Sequence, residues 1–328
     1  MRSLKYFAAR ALGTALAGLA LVSASAVVMA QNYPDRTVKL VVPYPPGGVS
    51  DTAARLIAAA LEKKLGTSII IDNRAGAASS VASTYVANQP ADGYTLYAAP
   101  VSLVINPALQ GSVQYRPFED FTPISMMMTS PFILQTHPSV PAKDVTELIE
   151  LIKASPGKYA IGTSGMGSIN HLASEYFLKE YGLNMLVVHY KGGMPAAQGL
   201  LGNQTQLMFS AVREALPLIE SQKTNALAIT SQNPSDLVSN IPTLNQATGS
   251  KDFEAIFWLA LVAPAGLDKA IQDKLSNAMN QLGKDEKLRA DLKNLGIDLD
   301  TSSPQTVTAN LKRDEAKWAS LIKELKPQ

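Results

Sequence analysis

The sequence predicts an α/β fold of two lobes, and three observations carry that expectation. Short aliphatic runs alternate with helix-length amphipathic segments along residues 38–230, the pattern of parallel strands joined by crossover helices. A glycine-bearing turn joins a strand to a helix in each of two such blocks, Pro45-Pro46-Gly47-Gly48 in one and Ser164-Gly165-Met166-Gly167-Ser168 in the other. After a last apolar run, Phe257 to Val262, only helical segments follow, and these are too small and amphipathic to stand alone. They should pack back on the first block.

The first unit is the strand Val38 to Val42, stopped by Pro43, Pro45 and Pro46. Gly47 and Gly48 then turn the chain into a helix that begins near Ser50 or Asp51, with Ala53, Leu56, Ile57, Ala60 and Leu61 apolar, and stops at Gly66. Free N–H groups and the positive helix end face whatever lies over that elbow, so its natural guest is an anion. Strand Ser68 to Asp72, helix Ser80 to Asn88 and strand Tyr94 to Ala99 complete one α/β half. Residues 101–129 read as irregular, because Pro107, Pro117 and Pro123 break the pattern. Met126-Met127-Met128 is expected to pack between the lobes.

The second half runs from a strand at Phe132 to Gln135 through helix Asp144 to Ala154 and strand Tyr159 to Thr163. Helix Ile169 to Tyr181 follows, then strands Leu186 to Tyr190, Gln206 to Ser210 and Ala226 to Thr230. The chain should cross between the lobes twice, near Ser130 and near Ala255. That divides it into residues 31–130 with 256–328, and residues 131–255. Two crossings make a hinge, and a hinge over facing glycine loops is the layout of a ligand trap.

Residues 1–30 have the layout of a secretory signal: Arg2, Lys5 and Arg10, an apolar run from Ala11 to about Val22, and small residues ending at Ala30. Cleavage is expected after Ala30, with Ala26 as second option. A membrane anchor fits less well, because Gly13, Thr14 and Gly18 interrupt a run that is already short. Removing three basic and no acidic residues turns the formal charge from +2 to −1, so no basic stripe for nucleic acid remains. The chain has no cysteine, which excludes disulfides, thiolate metal sites and a cysteine nucleophile.

The motifs of common enzymes are missing. Gly162-Thr163-Ser164-Gly165-Met166 has Met where a nucleophile elbow needs its second glycine, and no phosphate loop or dinucleotide fingerprint is complete. The histidines are His137, His171 and His189, with no pair at helical zinc spacing, so neither metal nor cofactor is expected. His171 sits in the first turn after the serine-glycine loop, where ligand contact and a local backbone bond are equally good readings. His189 reads as structural. What remains at the strand ends is a set of small donors: glycine-loop amides and the hydroxyls of Thr163, Ser164, Ser168, Tyr190 and Ser210. Such groups suit a carboxylate. Lys191 and Arg213 could add positive charge, although a solvated position explains each as well, and Asp51 is most simply a cap. Binding without turnover is the economical reading.

The order and wording of these motifs resemble the extracytoplasmic solute-binding receptors of tripartite tricarboxylate transporters, the Bug receptors. The matching runs include VVPYPPGGVSDTAAR at Val41 to Arg55, DNRAGA at Asp72 to Ala77, ADGYTL at Ala91 to Leu96 and DFTPIS at Asp120 to Ser125. GTSGMGSINHLASE at Gly162 to Glu175, VVHYKGG at Val187 to Gly193, QLMFS at Gln206 to Ser210 and LVAPAG at Leu261 to Gly266 continue the match. The resemblance implies a periplasmic-binding-protein fold, a type II-like Venus flytrap with two crossover strands and a helical C-terminal segment on the first lobe. It further implies a monomer that captures a small di- or tricarboxylate or aromatic acid in the periplasm and passes it to a membrane permease. Carried over by motif, the ligand contacts are Tyr44, Pro46, Gly47, Gly48 and Asp51 from one lobe. Thr163, Ser164, Gly167, Ser168, His171, Tyr190, Lys191 and Gly192 come from the other, and Ser102 and Ser210 read the distal end.

Two departures stand out. Residues 74–79 read Arg-Ala-Gly-Ala-Ala-Ser where many relatives have Arg-Pro-Gly-Ala-Gly-Gly, and Ser210 stands where relatives often carry an acidic residue or its amide. The second departure disfavours an ammonium group at that position. Two other functions stay open: a receptor that signals to a membrane sensor, and a secreted hydrolase using Ser164 or Ser168 with His171.

Overall fold

The computed structural model describes residues 33–325. The expected export signal and its cleavage points at Ala26 and Ala30 lie outside them. No helix among the described residues is long and apolar enough to cross a membrane.

Strands β1 (Val38–Val42), β2 (Ile69–Asn73) and β3 (Thr95–Pro100) are mutually parallel, with β1 between the other two. Strand β9 (Ile256–Pro264) runs antiparallel beside β3, and β4 (Phe121–Thr136) runs antiparallel beside β9. Strand β4 also carries the second half of the sheet. Its last residues, Phe132 to Thr136, pair with β7 (Leu207–Ala211) on one side and with β8 (Asn225–Ile229) on the other. Strands β5 (Ala160–Thr163) and β6 (Leu186–His189) extend that half in parallel from β7. A two-residue strand, β10 (Asp298–Leu299), pairs with β4 at Met128 and Thr129. The result is a mixed sheet with helices, curled into two halves that share β4, in keeping with the two-lobed α/β expectation.

The change of partner along β4 falls at Pro131. Through Pro131 the strand pairs with β9, and from Phe132 it pairs with β7 and β8. Proline lacks an N–H, so it costs least where a ladder changes hands. Thr230, fully buried, knots the two crossing strands there. Its Oγ1 accepts from Phe132 N at 2.8 Å and donates to Ala255 O at 2.6 Å, and its own amide donates to Phe132 O at 3.0 Å.

The first half carries α1 (Val49–Leu65), α2 (Ser80–Ala87) and α3 (Ser102–Gln110). The second carries α4 (Val145–Ala154), α5 (Ile169–Tyr181), α6 (Gly193–Leu201), α7 (Val212–Glu220) and the short α8 (Leu244–Thr248). Of the last three helices, α9 (Lys269–Leu282) packs on α1 and β4, and α10 (Glu286–Lys293) on α1 and β10. Helix α11 (Pro304–Leu325) lies along α3 and β4. The buried Asp314 of α11 accepts from Trp258 Nε1 of β9 at 2.6 Å. The same helix reaches the other half, where Trp318 meets Tyr176 of α5 edge-on at 6.4 Å.

The region expected to be irregular is not. Helix α3 continues through Pro107 because the carbonyl that this proline leaves open, Leu103 O, takes the Tyr115 hydroxyl instead at 3.1 Å. Strand β4 continues through Pro123 by shifting register against β9, and the Pro123 carbonyl accepts from Gln272 Nε2 at 2.7 Å. Continuity of β4 also relocates the methionine run. Met126, Met127 and Met128 are at most 1% exposed in the strand's interior, within the main apolar core, and not a separate layer between lobes.

Candidate functional site

The first elbow is organised by one carboxylate. Asp51, in the first turn of α1 and only 3% exposed, accepts from the Gly47 amide and from Arg55 Nε at 2.9 Å each through Oδ2. Its Oδ1 accepts from Asn73 Nδ2 at 2.9 Å, and the same amide group donates to the Tyr44 carbonyl at 3.0 Å. Burial alone would raise the Asp51 carboxyl, but Arg55, the Gly47 amide and Asn73 outweigh it and hold the group below the usual carboxylate range. Gly47 takes φ +86°, which only glycine adopts without strain. Both oxygens of Asp51 are thus engaged within the protein, and Asp51 fixes the elbow's shape. No side chain caps α1, whose first-turn amides therefore remain for a guest.

Tyr44 leaves the elbow inward, its ring edge-on to Phe257 at 6.2 Å. Burial pushes its hydroxyl up to about 12, partly offset by the Ser102 hydroxyl. Ser102, 4% exposed, shares a 2.7 Å hydrogen bond with Ser79, and Ser83 links in turn to the Tyr97 hydroxyl at 3.0 Å. Ser79 closes a segment of four successive positive φ values: Gly76 at 140°, Ala77 at 45°, Ala78 at 49° and Ser79 at 79°. Three consecutive non-glycine residues in that region store strain. It is held by Asn106 Nδ2 on the Ala78 carbonyl at 2.7 Å and by Gln110 Nε2 on the Ala77 carbonyl at 3.2 Å.

In the second half the serine-glycine loop is organised by Asn170, which the sequence reading did not single out. Asn170 Oδ1 accepts from Ser164 Oγ at 2.7 Å, Ser168 Oγ at 2.6 Å and Ser164 N at 3.2 Å. Its Nδ2 donates to the Phe209 carbonyl at the end of β7, 3.2 Å away. Ser168 caps α5 by accepting from the His171 amide, which leaves the ring of His171 free to take the Gly167 amide on Nδ1 at 3.2 Å. Nε2 of the same ring faces Glu175 at 3.5 Å. Thr163 Oγ1 lies 2.8 Å from His189 Nδ1, and burial, then the neighbouring His171, holds His189 below its ordinary value. Gly192 N donates to the Ser164 carbonyl at 3.1 Å, which ties the Lys191-Gly192 turn to this loop. Neither the Ser164 nor the Ser168 hydroxyl meets a histidine ring nitrogen, so the pair that a serine hydrolase requires is not assembled.

The two halves meet beside these loops. A Cβ added at Gly167 would lie 2.3 Å from Leu109 Cδ2 and 3.7 Å from Ala78 Cβ, so the serine-glycine loop sits directly against α3 and the strained segment of the first half. Arg213, at the start of α7, donates from Nη1 to the Gly47 carbonyl and to Thr52 Oγ1, at 3.0 Å each. Of the remaining expected contacts, Pro46 and Gly48 line the first elbow, and Lys191 is exposed. Ser210 is 1% exposed with a hydroxyl that finds no hydrogen-bond partner. Tyr190 is directed elsewhere: its ring lies on Gly199 of α6 and its hydroxyl donates to Gln204 Oε1 at 3.3 Å. The apolar underside of α6 claims that ring. A cavity of about 450 Å³ lies apart from these loops, by the strand crossing, among Asp236, Glu254, Asp298, Asp300 and Arg313. Its acidic lining repels an anion, whereas the uncapped start of α1 offers amides to one.

The residue pattern described as "Tripartite tricarboxylate transporter family receptor" matches residues 53–326. The chain belongs to that receptor family. Among solved structures, this receptor is similar to Rpa4515 of R. palustris with adipate, at 31% identity and TM-score 0.82, over 89% of this chain and 97% of that one. It is likewise similar to the periplasmic binding protein BugD, at 30% identity and TM-score 0.79, over 89% of this chain and 98% of that one. MatC of Rhodopseudomonas palustris with bound malate follows at 28% identity and TM-score 0.79, over 88% and 100%.

Proposed function

We propose that this receptor captures a small organic carboxylate in the periplasm, holds it between its two lobes and delivers it to a tripartite tricarboxylate transporter. The lobes are residues 31–130 with 256–328 and residues 131–255, with the chain crossing between them near Ser130 and near Ala255. The observation that carries the reading is the uncapped start of α1 at Gly48, beside an elbow to which Arg213 of the other half reaches across at the Gly47 carbonyl. An uncapped helix amino end stabilises a carboxylate, which accepts several hydrogen bonds at once. The adipate and malate held by similar receptors agree in chemistry. One carboxylate group of the ligand meets the amides of Gly48 and its successors and the loop before His171. Ser102 and Ser210 lie toward its far end.

The serine-hydrolase alternative has no support in the geometry, since the hydroxyls of Ser164 and Ser168 bond to Asn170 and not to a histidine ring nitrogen. The test is calorimetric titration of protein unfolded and refolded to strip carried ligand, against linear di- and tricarboxylates, hydroxy acids and aromatic acids. A saturable heat with at least one acid is expected; silence across the whole panel sinks the reading. Uptake of the same acid by cells lacking the receptor then tests delivery, which predicts a loss of transport; unchanged uptake together with altered gene expression favours a sensor.

A further inference from the structure

Glu214 is a carboxylate with no function in the account above. It stands in the first turn of α7, one residue after the Arg213 that bonds to the Gly47 carbonyl, and its side chain turns toward the opening of α6. A Cβ built on Gly193 would lie 2.5 Å from one Glu214 carboxylate oxygen and 2.7 Å from the other, so the carboxylate rests directly on that glycine. Gly193 continues the Lys191-Gly192 turn that is tied to Ser164, which places Glu214 at the rim of the gap. No hydrogen bond from a described residue reaches its oxygens. The neighbouring cation, Arg213, directs its guanidinium to Gly47 and Thr52. Four residues earlier, at the end of β7, Ser210 carries a buried hydroxyl that is also unpartnered.

A partly buried carboxylate to which the protein offers no donor is poorly satisfied, and the buried, unpartnered Ser210 hydroxyl is a second unmet demand four residues away in the chain. Both are met by one kind of ligand group. A carboxylate accepts only, so the group must donate, and a second ionised carboxylate would instead meet Glu214 as a like charge.

We propose that Glu214, with Ser210, selects a ligand whose far end donates hydrogen bonds, an acid bearing an amine or a hydroxyl, over the dicarboxylate of equal length. The inference rests on the carboxylate-receptor reading and names the ligand class within it. It reverses the expectation drawn from Ser210 alone, because the acidic group that Ser210 lacks is supplied four residues later, in the first turn of α7. Burial pushes the Glu214 carboxyl up and Arg213 offsets this only in part, in keeping with a charge that awaits a partner.

The test is competitive titration at pH 7.5 with acids of three to seven carbons that end in an amine, a hydroxyl or a second carboxylate. Wild type is expected to favour the amine- or hydroxyl-ended member of some length over its dicarboxylate by about tenfold or more, as opposing a like charge in a closed site costs. Glu214→Gln should erase most of that preference. Gly193→Ala, which leaves Glu214 in place but puts a methyl where its oxygens now lie, should change the ranking in the same direction. Thermal melts establish that each variant is folded, and Glu214→Ser substitutes should Glu214→Gln melt early. If acids bind but wild type and the variants rank them identically, or if wild type prefers the dicarboxylate, this inference falls and the receptor reading stands. If no acid binds wild type, both fall together.

Discussion

Arg213 Nη1 lies 3.0 Å from the carbonyl of Gly47, and this one hydrogen bond joins the start of α7 in one half of the molecule to the first elbow in the other. Thr52 Oγ1, also at 3.0 Å, makes it bifurcated. The guanidinium thus reaches from the second half to two acceptors of the first, and on the proposed hinge reading its contribution is to the closed arrangement. Arg213→Ala removes two charge-assisted bonds present only when the halves meet. At about 1 kcal/mol net for each partly exposed bond, ligand affinity should drop roughly five- to thirtyfold. Small-angle scattering should show a larger radius of gyration for the ligand-free variant. Equal affinity and equal dimensions would mean that the contact carries no closure energy.

Asp51 predicts a pH dependence of stability. Its folded-state value is depressed by Arg55, the Gly47 amide and Asn73 against the opposing effect of burial. A depressed carboxyl stabilises the fold above its unfolded value, near 4, and the contribution fades as pH falls through the folded value. Asp51→Asn should therefore be less stable than wild type by about 1.5 to 3 kcal/mol at pH 7. In denaturant titrations the difference should shrink as pH falls from about 4 through the depressed folded value of Asp51. A constant difference across that range would show that the charge is irrelevant and only shape matters.

Asn170 should be indispensable to binding although it need not touch the ligand. Asn170→Ala strips the acceptor from Ser164 and Ser168 together and frees the loop from the β7 carbonyl. Loss of loop order should lower affinity by about a hundredfold while the melting temperature falls by only a few degrees. Calorimetry and a thermal melt of the same sample separate the two effects. Full affinity in a folded variant would show that the loop is held by its glycine conformations alone.

Thr230 should matter to stability more than its size implies. Thr230→Val is nearly isosteric but leaves the buried amide of Phe132 and the Ala255 carbonyl without their partner, at a cost of about 1 to 3 kcal/mol. Urea unfolding monitored by Trp258 and Trp318 fluorescence measures it. No change in midpoint would indicate that water replaces the hydroxyl at the crossing.

The sequence by itself determined the alternation of strand and helix, the two glycine elbows and the kind of guest they suit. Each of these depends on local rules: proline stops a strand, glycine permits φ +86° at Gly47, and a helix start exposes amides. It also marked Ser164, Ser168 and His171 as neighbours, since they share one loop and one turn of helix. What it could not settle depends on residues far apart in the chain. Pro107 and Pro123 looked like breaks because the compensating groups, Tyr115 and Gln272, come from elsewhere. Tyr190 looked like a donor to the gap, yet the apolar underside of α6 claims its ring. Arg213 and Glu214 are adjacent in sequence and opposite in role, one reaching Gly47 and the other resting on Gly193. Helical geometry turns successive side chains to different sides, and only tertiary packing decides what each side meets.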